Sequence, residues 1–322
     1  MTRSFSLPLL IALAATAAPT PPVASVTAVS AAQLAALAPY TQFARAAYCS
    51  PSIVQDWTLR WYVSCPAGSL PSHPSHWQRL AEPFPDSRSL SPVVTVTPSN
   101  TVQTYYVGYW PSSNSVVVAH QGTDPIQLRS DLTDVGIIMK SLDPTLFPGL
   151  DSSVQVHSGF ANEHTQTAQI ILNQVKSLIS QYGATSVTLV GHSLGGALAE
   201  LDCMFMALNL PPDIAIRGVT YGTPRVGNSA WTALFDATIS DFQRINNKKD
   251  IIPIVPGRFL GFSHVMGEVH IMQPNDAVEC PGDDNATDTE CTIKSVPNIF
   301  DGDILNHLGP YQGIYIGTIY CT

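Results

Sequence analysis

Residues 187–198 read VTLVGHSLGGAL. Val187 to Val190 form an apolar, β-branched run of strand length, and Ala197, Leu198 and Ala199 begin a helical pattern. Between them, Gly191-His192-Ser193-Leu194-Gly195 puts a serine on a tight corner with a glycine two residues to either side. A strand, a sharp turn and a helix around a central serine make a nucleophile elbow. The turn strains the serine backbone, and glycines without Cβ atoms let strand and helix approach closely. The helix that starts at Leu194 aims its free N–H groups and its positive end at the same point. Ser193 is therefore the candidate nucleophile.

The flanking sequence repeats the same alternation. Residues 158–182 read as a long amphipathic helix, with Ala168, Ile171, Leu172, Val175, Leu178 and Ile179 at helical spacing and Gly183 as its stop. Residues 194–210 read as the next helix, IAIRGVTYG (214–222) and FQRIN (242–246) as strands, and NSAWTALFDAT (228–238) as a short helix. Upstream, TVQTYYVGYW (101–110) and SVVVAH (115–120), joined by PSSN, carry a hairpin signal. Ser30 suits a helix cap, and Pro39 breaks or restarts that helix. Strands alternating with helices predict an α/β fold, a mostly parallel central sheet flanked by helices, with no internal repeat and no second domain.

The chain has 322 residues, 45% of them hydrophobic and 12% charged, which is a globular composition. A net charge of −9 with few lysines excludes nucleic acid as a partner, because phosphate binding needs clustered cations. Arg3, the apolar stretch from Leu7 to Leu13 and Ala15-Thr16-Ala17 form a secretory signal with cleavage expected after Ala17. That stretch is too short to span a bilayer, and no later run is long enough. Residues 18–29, rich in Pro, Ala, Val and Ser, read as a propeptide or loose segment, and 30–322 as one domain. Six cysteines suit an oxidising, extracellular destination. Cys280 and Cys291 flank the polar loop PGDDNATDTE (281–290) and suit a local bridge; Cys49 and Cys321 suit a staple between the ends of the mature chain. Cys203 reads as a free buried thiol, Cys65 has no obvious partner, and sequence alone does not fix the pairing. Asn285 lies in an Asn-Ala-Thr sequon and is a candidate glycan site.

A serine nucleophile needs a base, and the base needs an orienting acid. With this kind of elbow the chain order is Ser, then Asp or Glu, then His. His73, His76, His120, His157, His164 and His192 precede or abut the serine, which leaves His264, His270 and His307. His270 lies in the strand-like GEVHIM and reads as structural. His307 follows a long excursion and sits where a final loop can return to the sheet edge; His264, in an apolar loop, is the alternative. The acid should follow a strand on the same edge. FQRINNKKD offers a strand, a short polar turn and then Asp250, whereas Asp236 and Asp241 precede that strand and Asp276, Asp283 and Asp284 read as solvated loop residues. For the negative charge of a tetrahedral intermediate, the donors are the Leu194 N–H and, after the strand ending VVVAHQGTD, Thr123 with its N–H and its hydroxyl.

With those residues in place the chain resembles the secreted fungal lipases of class 3, an α/β-hydrolase family, from about Tyr40 to Thr322. The motifs are HQGT, VHSGF, VTLVGHSLGGAL, YGTPRVGN, NNKKDIIPIVP and HLGPYQGI. The resemblance implies Ser193, Asp250 and His307 as the triad, Thr123 and Leu194 as oxyanion donors, and the bridges Cys49–Cys321 and Cys280–Cys291. It implies no metal and no organic cofactor. It also implies a short lid, for which Asp124 to Gly136 is the candidate through Asp124, Ile126, Leu128, Leu132 and Val135. Many family members carry a tryptophan in the lid and an arginine before the oxyanion glycine. Here the lid has no aromatic residue, and Gln121 stands in the arginine's place. The expected activity is hydrolysis of acylglycerols by a secreted monomer that visits a lipid–water interface. A soluble-substrate esterase of the feruloyl type is the alternative. A silent lipid-binding protein would be expected to lack a triad member, and all are present.

Overall fold

The strongest apolar runs of the sequence become the middle of a sheet. In chain order the strands are β1 (Thr27–Ala28), β2 (Ser91–Val96), β3 (Tyr105–Trp110), β4 (Ser115–His120), β5 (Met139–Ser141), β6 (Gln155–His157), β7 (Ser186–His192), β8 (Ala215–Tyr221), β9 (Gly227–Asn228), β10 (Phe242–Asn247), β11 (Phe262–Ser263), β12 (Glu268–Gln273) and β13 (Asp276–Cys280). The helices are α1 (Ala31–Ala36), α2 (Ala38–Ala46), α3 (Ser158–Tyr182), α4 (Leu194–Asn209), α5 (Ser229–Thr238) and α6 (Thr292–Ser295). The computed structural model describes residues 25–49, 54, 102–123, 138–284 and 287–320, and the backbone of 91–96.

Among the described residues the main sheet has nine strands in the order β1-β13-β12-β10-β8-β7-β4-β3-β2. The five inner strands, β12 to β4, are mutually parallel, and antiparallel pairs extend the sheet at both edges. Helices cover both faces. Val116, Val118, Val187 and Leu189 point into the core under α3, α4 and α5, while Val117, Ala119 and Val190 point to the side of α1 and α2. A parallel strand buried on both faces has no polar side, which is why these segments read as unbroken apolar runs. α4 is buried from Leu194 to Met206, so its Glu200 and Asp202 lie inside the protein and must find partners there.

Local signals hold where they are strong. Ser30 and Gln33 make a reciprocal capping box on α1, Pro39 stands in the first turn of α2, and Gly183 closes α3 in a left-handed conformation. The expected loose segment 18–29 departs from the sequence reading at its end. Thr27 and Ala28 pair with Val278 and Glu279, and Val29 is buried. That edge strand is made by backbone bonds, which leave no hydrophobic alternation to detect. A second, four-stranded sheet in the order β11-β9-β6-β5 has strands too short for a periodic signal.

Cys280 and Cys291 form a disulfide between the end of β13 and the start of α6, and Cys203 is a buried free thiol. Cys49 is disulfide-bonded, and its partner lies outside the described residues, as do Cys65 and Cys321. Asn285 and the candidate lid Asp124–Gly136, with Ile126, Leu128, Leu132 and Val135, also lie outside them. Asp284 does not behave as a solvated loop residue. Its carboxylate is almost buried and takes a fork of hydrogen bonds from Arg225, which also donates to the carbonyls of Ile254 and Pro256. A guanidinium buried at position 225 needs a counter-charge, and the disulfide loop brings one.

Candidate active site

The corner between β7 and α4 adopts the strained geometry that its sequence suggests. Ser193 has φ 63° and ψ −131°, a rare conformation for a residue with a side chain. A Cβ at Gly191 would overlap the Gly195 carbonyl, so this turn closes only over glycine. Leu194 is the first residue of α4, and its N–H lies in the helix's unpaired first turn beside Ser193.

Two long-range contacts gather the other groups around that corner. The Ser193 N–H donates to the Tyr221 carbonyl at 2.9 Å, which places the end of β8 beside the serine. The next residue is Gly222, with φ 53°. A Cβ there would stand 2.6 Å from His307 Nδ1 and 2.8 Å from an Asp250 carboxylate oxygen. The missing side chain of Gly222 is therefore the space in which Asp250 and His307 meet. His307 Nδ1 and Asp250 Oδ2 are 2.8 Å apart, and Asp250 Oδ1 accepts from the Ile252 N–H at 2.9 Å. Both side chains are buried. Among the described residues, His307 Nε2 and Ser193 Oγ have no hydrogen-bond partner. With Nδ1 committed to the carboxylate, Nε2 is the nitrogen left to accept a proton.

His307 is also held through its backbone. His192 Nε2 lies 2.7 Å from the His307 carbonyl, the Tyr48 hydroxyl lies 2.7 Å from His192 Nδ1, and Tyr311 donates to the same carbonyl at 3.0 Å. Burial, and next the neighbouring His307, hold His192 well below the ordinary histidine pKa, so its ring is neutral. A carbonyl only accepts, so Nε2 carries the proton and Tyr48 donates to Nδ1. The two imidazoles pack against each other at a tilt of 34°, with centroids 4.3 Å apart. Tyr48, His192, Gly222 and Tyr311 were not among the candidates from sequence. The available signal was a glycine following the end of a strand inside YGTPRVGN.

The loop that carries Thr123 lies against Ser193. A Cβ at Gly122 would be 2.6 Å from the Ser193 Cβ. Gln121 N–H donates to the Thr104 carbonyl at 2.8 Å, and its side-chain oxygen accepts from Thr104 N–H at 3.3 Å, so the residue in the arginine's place clamps the loop to the residue just before β3. Gln103 Nε2 donates to Thr123 Oγ1 at 3.0 Å. The alternative base, His264, has its Nε2 2.6 Å from the Pro253 carbonyl, and no carboxylate bonds its ring among the described residues. His270 is bound between the carbonyls of Glu290 and Lys248. Among the described residues, Glu268, Cys280 and Cys291 are grouped closely enough to hold a metal, but both sulfurs are used in the disulfide.

Comparison with known proteins fits this arrangement. The family described as "Lipase (class 3)" matches residues 117–260, which hold Thr123, Ser193 and Asp250. The secreted mono- and diacylglycerol lipase MDL5 of Malassezia globosa is 26% identical over 211 residues, covering 65% of each chain. MDL2 of the same organism is 33% identical over 52% of this chain and 55% of its own, so the match spans less than two thirds of either relative. LIP4 of Malassezia restricta, also a secreted mono- and diacylglycerol lipase, is 30% identical over 65% of this chain and 71% of its own length. Among solved structures, lipase II from Rhizopus niveus is 25% identical with a TM-score of 0.68, covering 91% of this chain and 99% of its own. The Rhizomucor miehei lipase–propeptide complex, at 23% identity, shares the fold with a TM-score of 0.70, covering 92% of this chain and 85% of its own. The α/β-hydrolase fold and a relative matched over most of its length agree, and the chain belongs to the class 3 lipase family.

Proposed function

We propose that this chain is a secreted serine hydrolase that cleaves the carboxylic esters of acylglycerols. The observation that carries the reading is the buried Asp250–His307 pair, with His307 Nε2 and the hydroxyl of the strained Ser193 both left without a partner among the described residues. In the reaction, Ser193 Oγ attacks the ester carbonyl carbon while His307 Nε2 takes its proton. Asp250 holds Nδ1–H and stabilises the imidazolium that forms. The oxyanion accepts hydrogen bonds from Leu194 N–H and from Thr123 N–H and hydroxyl. Collapse of the intermediate expels the alcohol, which takes the proton from Nε2, and leaves an acyl-serine. Water, deprotonated by His307, then releases the fatty acid and restores Ser193.

Substrate class is supported by the names of the relatives, which are mono- and diacylglycerol lipases, and by large apolar side chains left in solvent. Phe259 is 90% exposed, Phe300 88% and Leu305 68%. No helix of the described residues is long and apolar enough to cross a membrane. A peripheral, transient visit to a lipid surface by a monomer fits both facts. Residues 124–136 are the proposed lid, Cys49–Cys321 the proposed terminal staple, and Asn285 the proposed glycan site. We take residues 1–17 as the signal.

One substrate panel tests the reading. Emulsified mono-, di- and triacylglycerols should be cleaved by the native chain, and Ser193→Ala should lose on the order of a million-fold in turnover while keeping its fold. More than a few per cent residual activity removes Ser193 as nucleophile. Ile126→Asp combined with Leu128→Asp should lower activity on the emulsions far more than on a soluble short-chain ester. Equal losses on both substrates would transfer the preference to a soluble-substrate esterase.

A further inference from the structure

The hydroxyl of Thr123 has a partner whose chemistry decides what that hydroxyl can do. A threonine hydroxyl has one proton to donate and lone pairs to accept with, and its proton rotates freely unless something restrains it. Gln103 Nε2 donates to Thr123 Oγ1 at 3.0 Å and so occupies a lone pair. The Thr123 proton must then point away from Gln103. The loop carrying it lies against Ser193 through Gly122, which leaves that proton available to an oxyanion formed at Ser193.

Gln103 is itself held in place. Its backbone N–H donates to Glu163 Oε1 at 2.8 Å, from the start of α3, and the next residue, Thr104, exchanges two hydrogen bonds with Gln121. The strip 103–104 therefore clamps the oxyanion loop 121–123 at both ends, and the Gln103 side chain reaches the far end. Gln103 hydrogen-bonds neither Ser193 Oγ nor His307 Nε2.

We infer that Gln103 is a positioning residue: its amide sets the Thr123 hydroxyl as a donor toward the oxyanion. The inference rests on the reading of Thr123 as an oxyanion donor. Glutamate at 103 has the same shape but, when ionised, offers only acceptors. It would draw the Thr123 proton to itself and away from the substrate. Leucine at 103 removes the restraint without competing for the proton.

The test is a double-mutant series on a soluble ester, reading kcat and KM separately, with thermal melting to confirm folding. Thr123→Val alone should lower kcat by about a hundred-fold with KM little changed. Gln103→Glu should approach that loss, and Gln103→Leu should lower kcat roughly three- to ten-fold. In the Thr123→Val background neither Gln103 substitution should lower kcat further. Losses that persist unchanged without the hydroxyl would mean that Gln103 only supports the loop, and the inference falls. If Thr123→Val lowers kcat but Gln103→Glu stays within two-fold of the native chain, the inference fails alone. If Thr123→Val itself leaves kcat unchanged, the reading of Thr123 as a donor fails and this inference goes with it.

Discussion

Among the described residues two buried aspartate–histidine arrangements stand out, and they leave different ring nitrogens over. Asp250 meets His307 at Nδ1, on loops beyond the ends of the parallel strands, and leaves Nε2 without a partner. Asp202, in the middle of α4, meets two histidines: His120 Nε2 at 2.7 Å and His164 Nε2 at 2.9 Å. Both carboxylates are fully buried and both sets of bonds are short. The difference lies in what is left over. A base needs one ring nitrogen held and the other open beside a nucleophile. Asp250 holds one nitrogen of His307 and leaves the other open, and Ser193 Oγ is likewise unpartnered among the described residues. Asp202 instead ties β4, α3 and α4 together from inside the core. Burial alone would push the Asp202 carboxyl up, but the hydrogen bonds from His120 and His164 outweigh it and hold the pKa at about 2. A short Asp–His contact identifies a strong interaction, not a catalytic one.

The sharpest way to break this comparison is to remove the histidines. His307→Ala should be as damaging as Ser193→Ala, about a million-fold in turnover, and the double variant scarcely worse, because the groups act as one unit. His264→Ala should keep measurable activity. The reverse ranking in a turnover assay would reassign the base.

The aspartates come next. Asp250→Asn should cost about 10⁴-fold in turnover, since an amide no longer secures the tautomer with Nε2 free. Asp202→Asn should stay within about ten-fold of native turnover but lose about 3 kcal/mol of stability, the order of a buried hydrogen bond to a charged group. Its stability deficit also has a pH signature. A carboxyl depressed to about 2 stabilises the fold fully above its unfolded value near 4, and that contribution is lost as pH falls through about 2. Denaturant titrations should therefore show the native chain well ahead of Asp202→Asn at pH 6 and the gap closing between about pH 4 and pH 2. A gap independent of pH would mean that Asp202 acts through packing alone.

The smallest effect concerns the other acid buried in α4. Burial raises the Glu200 carboxyl to about 8, and one of its oxygens accepts from Trp231 Nε1 at 2.7 Å. Because the folded state holds this proton more tightly than the unfolded chain, native stability falls as pH rises from about 4.5 to about 8. Glu200→Gln keeps the shape and the acceptor for Trp231 but has no charge to bury. It should melt near the native temperature at pH 5 and several degrees above it at pH 8.5. Equal melting temperatures at both values would show that Glu200 ionises without penalty.

Much of this molecule can be read from nearest neighbours along the chain. The helix at 158–182 and its glycine stop, the β3–β4 hairpin and the strand–turn–helix corner at 191–195 all follow from local periodicity and turn chemistry. Apolar spacing sets which face each segment must bury, and that alone fixes an alternating α/β fold. What tertiary structure decided are the partners of polar groups, because a side chain's partner depends on which strands become neighbours. Tyr48 reaches His192 across 144 residues, and Arg225 reaches Asp284 across 59. In each case the sequence shows a polar residue and not its destination. Gly222 illustrates the limit: along the chain it is one glycine after a strand, and only when β8 lies between β7 and β10 does its missing side chain become the space for Asp250 and His307. Local spacing selects the groups that can react, and strand order, with the burial it imposes, decides which of them meet.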